Sequence, residues 1–344
     1  MHVIESDAAG AEWDGLVSSV PSGTFFQSAS FAGLSGDFFS GKPFCLKAVE
    51  EGKVVGTLLL FKKFPNALAK TAGLARLFAY NGPVILDSSK AGEIAGALLQ
   101  KAFDISRREK ACELFLAPPY CDAAALGSIT VAFAGMGLKR EPSGTFLVDL
   151  SQSEEKLWSN LDKAAKKAVK QCTEEFNLSV EKVDSEEELG EYLNLLKKFR
   201  TASGFAMPMV YPSQNAWKKE RGKTMEVFVA KDGGKIVSGI GVVFFNGVAM
   251  EIAVARDVAH KAYAQDLLKW HVLLWAKRQD FRLYDLAGVN PNPSTDKERG
   301  GFQFKAKWGG TLVKYDNYRK VFSKNRVKLL EFGKKIYGRV RRLA

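Results

Sequence analysis

Two charged side chains late in the sequence stand where chemistry can be done. Asp285 lies in 281–286, whose apolar and polar residues alternate as in a strand, and the run that follows is dense in Gly, Pro, Asn and Ser, which predicts an open loop. A carboxylate there can accept a proton or orient an attacking amine, and it can equally cap the loop. Lys305 follows in GFQFKAKWGG, between Phe304 and Trp308. It reads either as a cation held against aromatic walls or as a lysine on a surface strand with its stem laid along the rings. Glu251, in the strand-like run 250–254, is a second candidate base. The histidines His2, His260 and His271 do not stand with a Ser or Cys in a nucleophile motif, so direct attack by a substrate amine is expected instead of a covalent triad.

These groups need a scaffold, and composition bounds it. A chain of 344 residues is long for one core, so two domains are expected. With 46% hydrophobic and 26% charged residues it is globular. Fifty Lys and Arg against 38 Asp and Glu give a net charge of +12, a surface for phosphate, nucleic acid or an anionic membrane. Cys45, Cys112, Cys121 and Cys172 lack C-x-x-C spacing, which argues against a zinc or redox site and fits reduced cytoplasmic thiols. The opening residues are polar and acidic, unlike a signal peptide, and no apolar run nears the ~20 residues that span a bilayer. A soluble protein, at most peripheral to a membrane, is expected, with no metal and no cofactor.

In the first half the patterns predict a helix over 8–17, a hairpin of 45–49 and 54–61 around a glycine turn, a helix over 91–107 with Ile94, Leu98 and Ile105 on one face, and strands at 113–117 and 145–150. Ser151-x-x-Glu154 then reads as a capping box. In the helix it opens, Leu157, Leu161, Ala164, Ala168 and Cys172 share one face. Lys163, Lys166, Lys167 and Lys170 share another, as a solvated face or a phosphate-binding stripe. Ser185-x-x-Glu188 caps a helix that buries Leu189, Tyr192, Leu196 and Phe199. A meander of 226–230, 236–245 and 248–255 follows, its Asn246-Gly247 turn of type I′, and then a helix over 260–279. The meander repeats the earlier hairpin, which suggests an internal duplication. The segment 323–344 is an amphipathic, strongly basic helix that can pack on the first domain, touch anionic lipid or hold RNA.

The succession Tyr284-Asp285-Leu286-Ala287-Gly288, the Asn/Pro/Asp loop, and Gly301-Phe302-Gln303-Phe304-Lys305-x-x-Trp308-Gly309 resembles the Fem (FemABX) peptidyltransferases. That resemblance implies an α/β (α+β) fold of two tandem domains like the Gcn5-related N-acetyltransferases (GNAT), each with a mixed central sheet. The first would span 1–150, joined by 317–344, and the second 151–316, with an acceptor cleft between them. It implies an aminoacyltransferase that moves an aminoacyl group from charged tRNA to an amine of a peptidoglycan precursor or related acceptor. Lys305 would then lie near the transferred group, where a cation stabilises the oxyanion. Asp285 would assist, Phe304, Tyr211, Arg200, Glu251, Tyr263 and Trp308 would line the substrate, and Lys163, Lys166, Lys167 and Lys170 would meet tRNA. The chain also departs from the family. Met207 stands where a basic residue precedes the tyrosine matching Tyr211, with Arg200 the nearest cation, and after Gln27-Ser28 and Phe31 the next lysine is Lys42. Pyrophosphate recognition of the familiar kind is therefore not expected. Two other functions stay open. One is an acyl-CoA-dependent N-acyltransferase, although 260–266 has no glycine to admit a pyrophosphate and Tyr263 crowds the approach. The other is a non-catalytic RNA- or membrane-surface-binding protein.

Overall fold

The structure, a computed structural model, describes residues 1–332 apart from 177, 205, 206, 261 and 262. The basic helix expected over 323–344 is therefore helical over 324–332 and otherwise lies outside the described residues. The chain forms two compact units, one of 1–142 with 315–344, the other of 143–314.

In the first unit the strands run in the order His2–Ser6, Phe44–Glu50, Lys53–Lys63, Arg76–Ala79, Glu113–Leu116, and the later part of Thr311–Val321. All neighbours are antiparallel except Arg76–Ala79 with Glu113–Leu116. The helix Ala91–Arg108 lays Ile94, Leu98 and Ile105 on this sheet, as the spacing predicts. Each such side chain contributes about 1.5–3 kcal/mol of burial. The first helix is shorter and later than expected, Trp13–Ser18, because Trp13 anchors its start by donating Nε1–H to the Gln27 carbonyl at 2.6 Å.

The second unit orders its strands as the end of Lys139–Asp149, Leu283–Val289, Val248–Arg256, Lys235–Phe245, Met225–Asp232 and Leu178–Lys182. The last four form the antiparallel meander and its edge, while Val248–Arg256 and Leu283–Val289 are parallel. Asn246 and Gly247 both have positive φ, 47° and 73°, the backbone of the expected type I′ turn. Both units thus repeat one succession of antiparallel strands, a helix, and a strand parallel to one of them.

Three local expectations are corrected. The Ser151 box does not form: Ser151 turns back to Asp149, and Ser153 caps Glu154–Asn160 through Lys156 N–H. That helix stops at Leu161, and Asp162 caps a new one, Lys163–Glu175. The break rotates the stripe, so Ala165, Ala168, Val169 and Cys172 are buried and Ala164 is exposed. Phe199 is only partly buried in its helix, Glu186–Ala202, because it faces a cavity.

Candidate active site

Parallel pairing between Val248–Arg256 and Leu283–Val289 lasts three residues, Val248 to Met250 against Leu283 to Asp285. Beyond that the strands part, and each lines one side of a cavity of about 490 Å³, Glu251 to Val254 facing Leu286 to Val289. A β-bulge marks the second strand, whose register against Lys139–Asp149 shifts between Asp285 and Gly288, with Ala287 at φ 63°. Asp285 holds this left-handed backbone. Its buried carboxylate accepts from Ala287 N–H at 2.8 Å and from the Thr145 hydroxyl at 2.5 Å. The bulge in turn aims two carbonyls, those of Ala287 and Gly288, at Lys305, whose Nζ donates to each at 3.0 Å.

Lys305 is not on a strand. It lies in the last turn of the helix Asp296–Ala306, although Gly300 and Gly301 cost such a helix roughly 1 kcal/mol each. A full capping box compensates: Thr295 Oγ1 accepts from Glu298 N–H at 3.2 Å, and Glu298 Oε2 accepts from Thr295 N–H at 3.1 Å. Glu298 also accepts from Ser294 N–H and from Asn290, contacts that hold its carboxyl down to about 2 and pin the 290–295 loop to the helix. Burial depresses Lys305 to about 8, with Lys269 acting the same way and Glu251 and Asp285 opposing it.

A buried polar network forms part of the cavity wall. Lys269, on the helix Ala264–Arg278, donates to Glu251 Oε1 at 2.5 Å and to Oε2 at 2.7 Å, and the Tyr284 hydroxyl donates to Oε1 at 2.9 Å. Burial and the adjacent Glu251 carboxylate push the Tyr284 phenol well above its ordinary value. The Lys269 ammonium stands 5.4 Å from the Phe304 ring centre and 5.9 Å from that of Trp308. Lys307 approaches the same rings and pairs with Asp266, whose carboxyl burial raises against the pull of Lys307. The turn carrying Lys305 is thus held between two ion pairs.

Of the residues singled out by sequence, Lys305, Phe304, Glu251 and Arg200 line this cavity. Tyr263 lines an adjoining cavity of about 600 Å³, and Phe304 belongs to the walls of both. Asp285 and Trp308 are buried behind them, and Tyr211 lies in the 203–213 connection, outside either lining. Lys163, Lys167 and Lys170 are exposed along Lys163–Glu175, while Lys166 folds back to the Ser159 carbonyl at 2.8 Å. Sequence reading missed Lys269, Tyr284 and Thr145. Lys269 carried a signal: it sits three before Val272 and four after Gln265, on the buried face of its helix. Among the described residues no cluster of His, Cys, Asp and Glu could hold a metal, and no helix is long and apolar enough to cross a membrane.

Gly301 lines both cavities, and a Cβ added there meets nothing within 4 Å. Gly301→Ala should therefore stabilise the helix by up to ~1 kcal/mol. It should also narrow the cavities, seen as a raised unfolding midpoint together with a raised KM.

A FemX crystal structure is similar to the chain with a TM-score of 0.74, covering 96% of this chain and 100% of that one at 16% identity. L-PGS from Bacillus licheniformis gives 0.54 over 87% and 89% at 12% identity. A tandem GNAT protein from the clavulanic acid biosynthesis pathway gives 0.54 over 93% and 98% at 16% identity. At these identities the likeness shows the fold, a tandem GNAT-like architecture as expected. No protein-family model and no curated protein matches the chain.

Proposed function

We propose, with the FemX-like fold as premise, that this chain is an aminoacyltransferase that takes the aminoacyl group of charged tRNA onto an amine of a peptidoglycan precursor or related cell-envelope acceptor. The observation that carries the reading is Lys305, an ammonium tied to two bulge carbonyls inside a cavity, with two of its three N–H donors so used. The remaining donor serves the reacting carbonyl. The acceptor amine attacks the ester carbon, the carbonyl electrons move to oxygen, and Lys305 meets the resulting oxyanion. Collapse re-forms the carbonyl, breaks the ester C–O bond and leaves an amide. The proton shed by the amine ends on the departing ribose oxygen. A lysine titrating near 8 can give that proton and recover it close to neutral pH.

The acyl-CoA alternative would seat a pyrophosphate at the start of Ala264–Arg278. There Tyr263 lines the adjoining cavity and 260–266 carries no glycine to bare backbone amides to a pyrophosphate, which favours the tRNA donor. The test is incubation with candidate amines and either labelled aminoacyl-tRNA or labelled acyl-CoA. Label is expected on the amine from tRNA; transfer from CoA alone would overturn the proposal.

Two expectations follow from the same site. The transfer rate should fall as pH rises through about 8, where Lys305 loses its charge. Unfolding would not mimic this. Between about 8 and the ordinary lysine value the unfolded chain binds more protons than the folded one, so this group's contribution to stability rises with pH there. Lys305→Arg, charged throughout, should retain some activity and lose that alkaline limb. Secondly, replacing Lys163, Lys167 and Lys170 together by Ala should weaken tRNA binding. The slope of log affinity against log salt should flatten by about 2–3 in a filter-binding titration, provided each lysine neutralises a phosphate.

A further inference from the structure

We propose that Glu251, Lys269 and Tyr284 are positioning residues that set the charge and the attitude of Lys305. Glu251 is its counter-charge across the cavity, and Lys269 with Tyr284 holds that carboxylate still. The inference rests on the function proposed above for Lys305 and goes beyond it in assigning the buried network of the cavity wall.

An ion pair at this depth needs a reason. Lys269 is 1% and Glu251 3% exposed. Removing two charges from water costs several kcal/mol per ion, and apolar residues of matching volume would serve stability about as well. The geometry supplies the reason. Glu251 and Lys269 both line the cavity that holds Lys305. Three donor contacts, two from Lys269 and one from Tyr284, fill most of the roughly four acceptor directions of the Glu251 carboxylate. It therefore keeps its negative charge in place and is poorly placed to take the proton of the attacking amine. The same Lys269 ammonium lies over Phe304 and Trp308, which fixes the turn that carries Lys305.

The other charges facing Lys305 are already engaged. Asp285 holds the bulge, Lys297 donates to the Ser203 carbonyl at 2.8 Å, and Glu298 is bound in its capping box. Arg200 reaches the cavity from Glu186–Ala202. Glu251 and Lys269 act on the one ammonium as an opposed pair, the carboxylate favouring its charge, with Asp285 adding to it, and the lysine disfavouring it.

The test is direct NMR titration of Lys305 in uniformly labelled full-length protein, its signal assigned by Lys305→Arg, beside the pH dependence of transfer. Glu251→Gln should lower the Lys305 midpoint and Lys269→Met should raise it, each by about one pH unit, with the alkaline limb of the rate moving in step. Folded variants whose midpoints stay within about 0.2 of wild type, or move the same way, would overturn the proposal. Should the single variants fail to fold, Glu251→Leu, Lys269→Met and Tyr284→Phe combined removes both charges of the pair and the hydroxyl left without its acceptor. There the two influences cancel, so the midpoint should stay within about half a pH unit of wild type while turnover falls; a shift above about one unit would contradict the account. Because the titration needs no substrate, expected shifts without transfer from tRNA would count against the proposed function and leave the charge-setting role standing.

Discussion

Lys305→Ala should slow the transfer step about 100- to 1,000-fold, with donor affinity changed only a few-fold and the fold intact. The size follows from what the side chain is placed to do. Its Nζ is oriented by the carbonyls of Ala287 and Gly288, so a positive charge waits at a fixed point instead of being gathered from solvent at the moment of reaction. Truncation deletes that charge where the oxyanion forms and leaves the ground-state ester, which carries no such charge, bound nearly as well. Water from the cavity can satisfy the two freed carbonyls, so little stability is lost. The comparison that checks this is single-turnover rate against equilibrium donor binding, with circular dichroism to verify folding. An unchanged rate with weakened binding would assign Lys305 to substrate docking.

The second large effect concerns the buried pair. Lys269→Met should destabilise the second unit by about 3–5 kcal/mol, because Glu251 would remain buried with only the Tyr284 hydroxyl as partner. Removing both charges is a different experiment. Glu251→Leu with Lys269→Met should recover most of that loss, and adding Tyr284→Phe should recover more by eliminating a hydroxyl left without its acceptor, worth about 1–3 kcal/mol. Urea denaturation of the four proteins measures the ladder. If Lys269→Met alone were as stable as wild type, the carboxylate would have to be solvated, against its 3% exposure.

Much of the scaffold was legible because it obeys local rules. The meander is built of short runs rich in β-branched and aromatic residues, its Asn246-Gly247 turn has a backbone few other pairs adopt, and Ser185 caps Glu186–Ala202 through Glu188 N–H. The site was legible in residue type and less so in conformation. Phe304 and Trp308 around Lys305 read as the rings of a surface strand, whereas the Thr295–Glu298 box decides for helix, and Gly300 and Gly301 line the cavities without side chains. Asp285 looked like an acid at a strand end, and long-range pairing places it inside a bulge, bonded to Thr145 from a strand 140 positions earlier in the chain. The apolar stripe was displaced by a helix break that Asp162, a good N-cap, announced. The Glu251–Lys269–Tyr284 network joins three separate elements, and no spacing within one of them encodes it.

The most direct measurement is a crystal structure of the protein with a 3′-linked aminoacyl-adenosine analogue bearing a tetrahedral phosphonate in place of the ester carbon. The account expects a phosphonate oxygen about 3 Å from Lys305 Nζ, within the opening between Glu251–Val254 and Leu286–Val289. An analogue bound away from that opening, or an ammonium turned from it into bulk water, would contradict it.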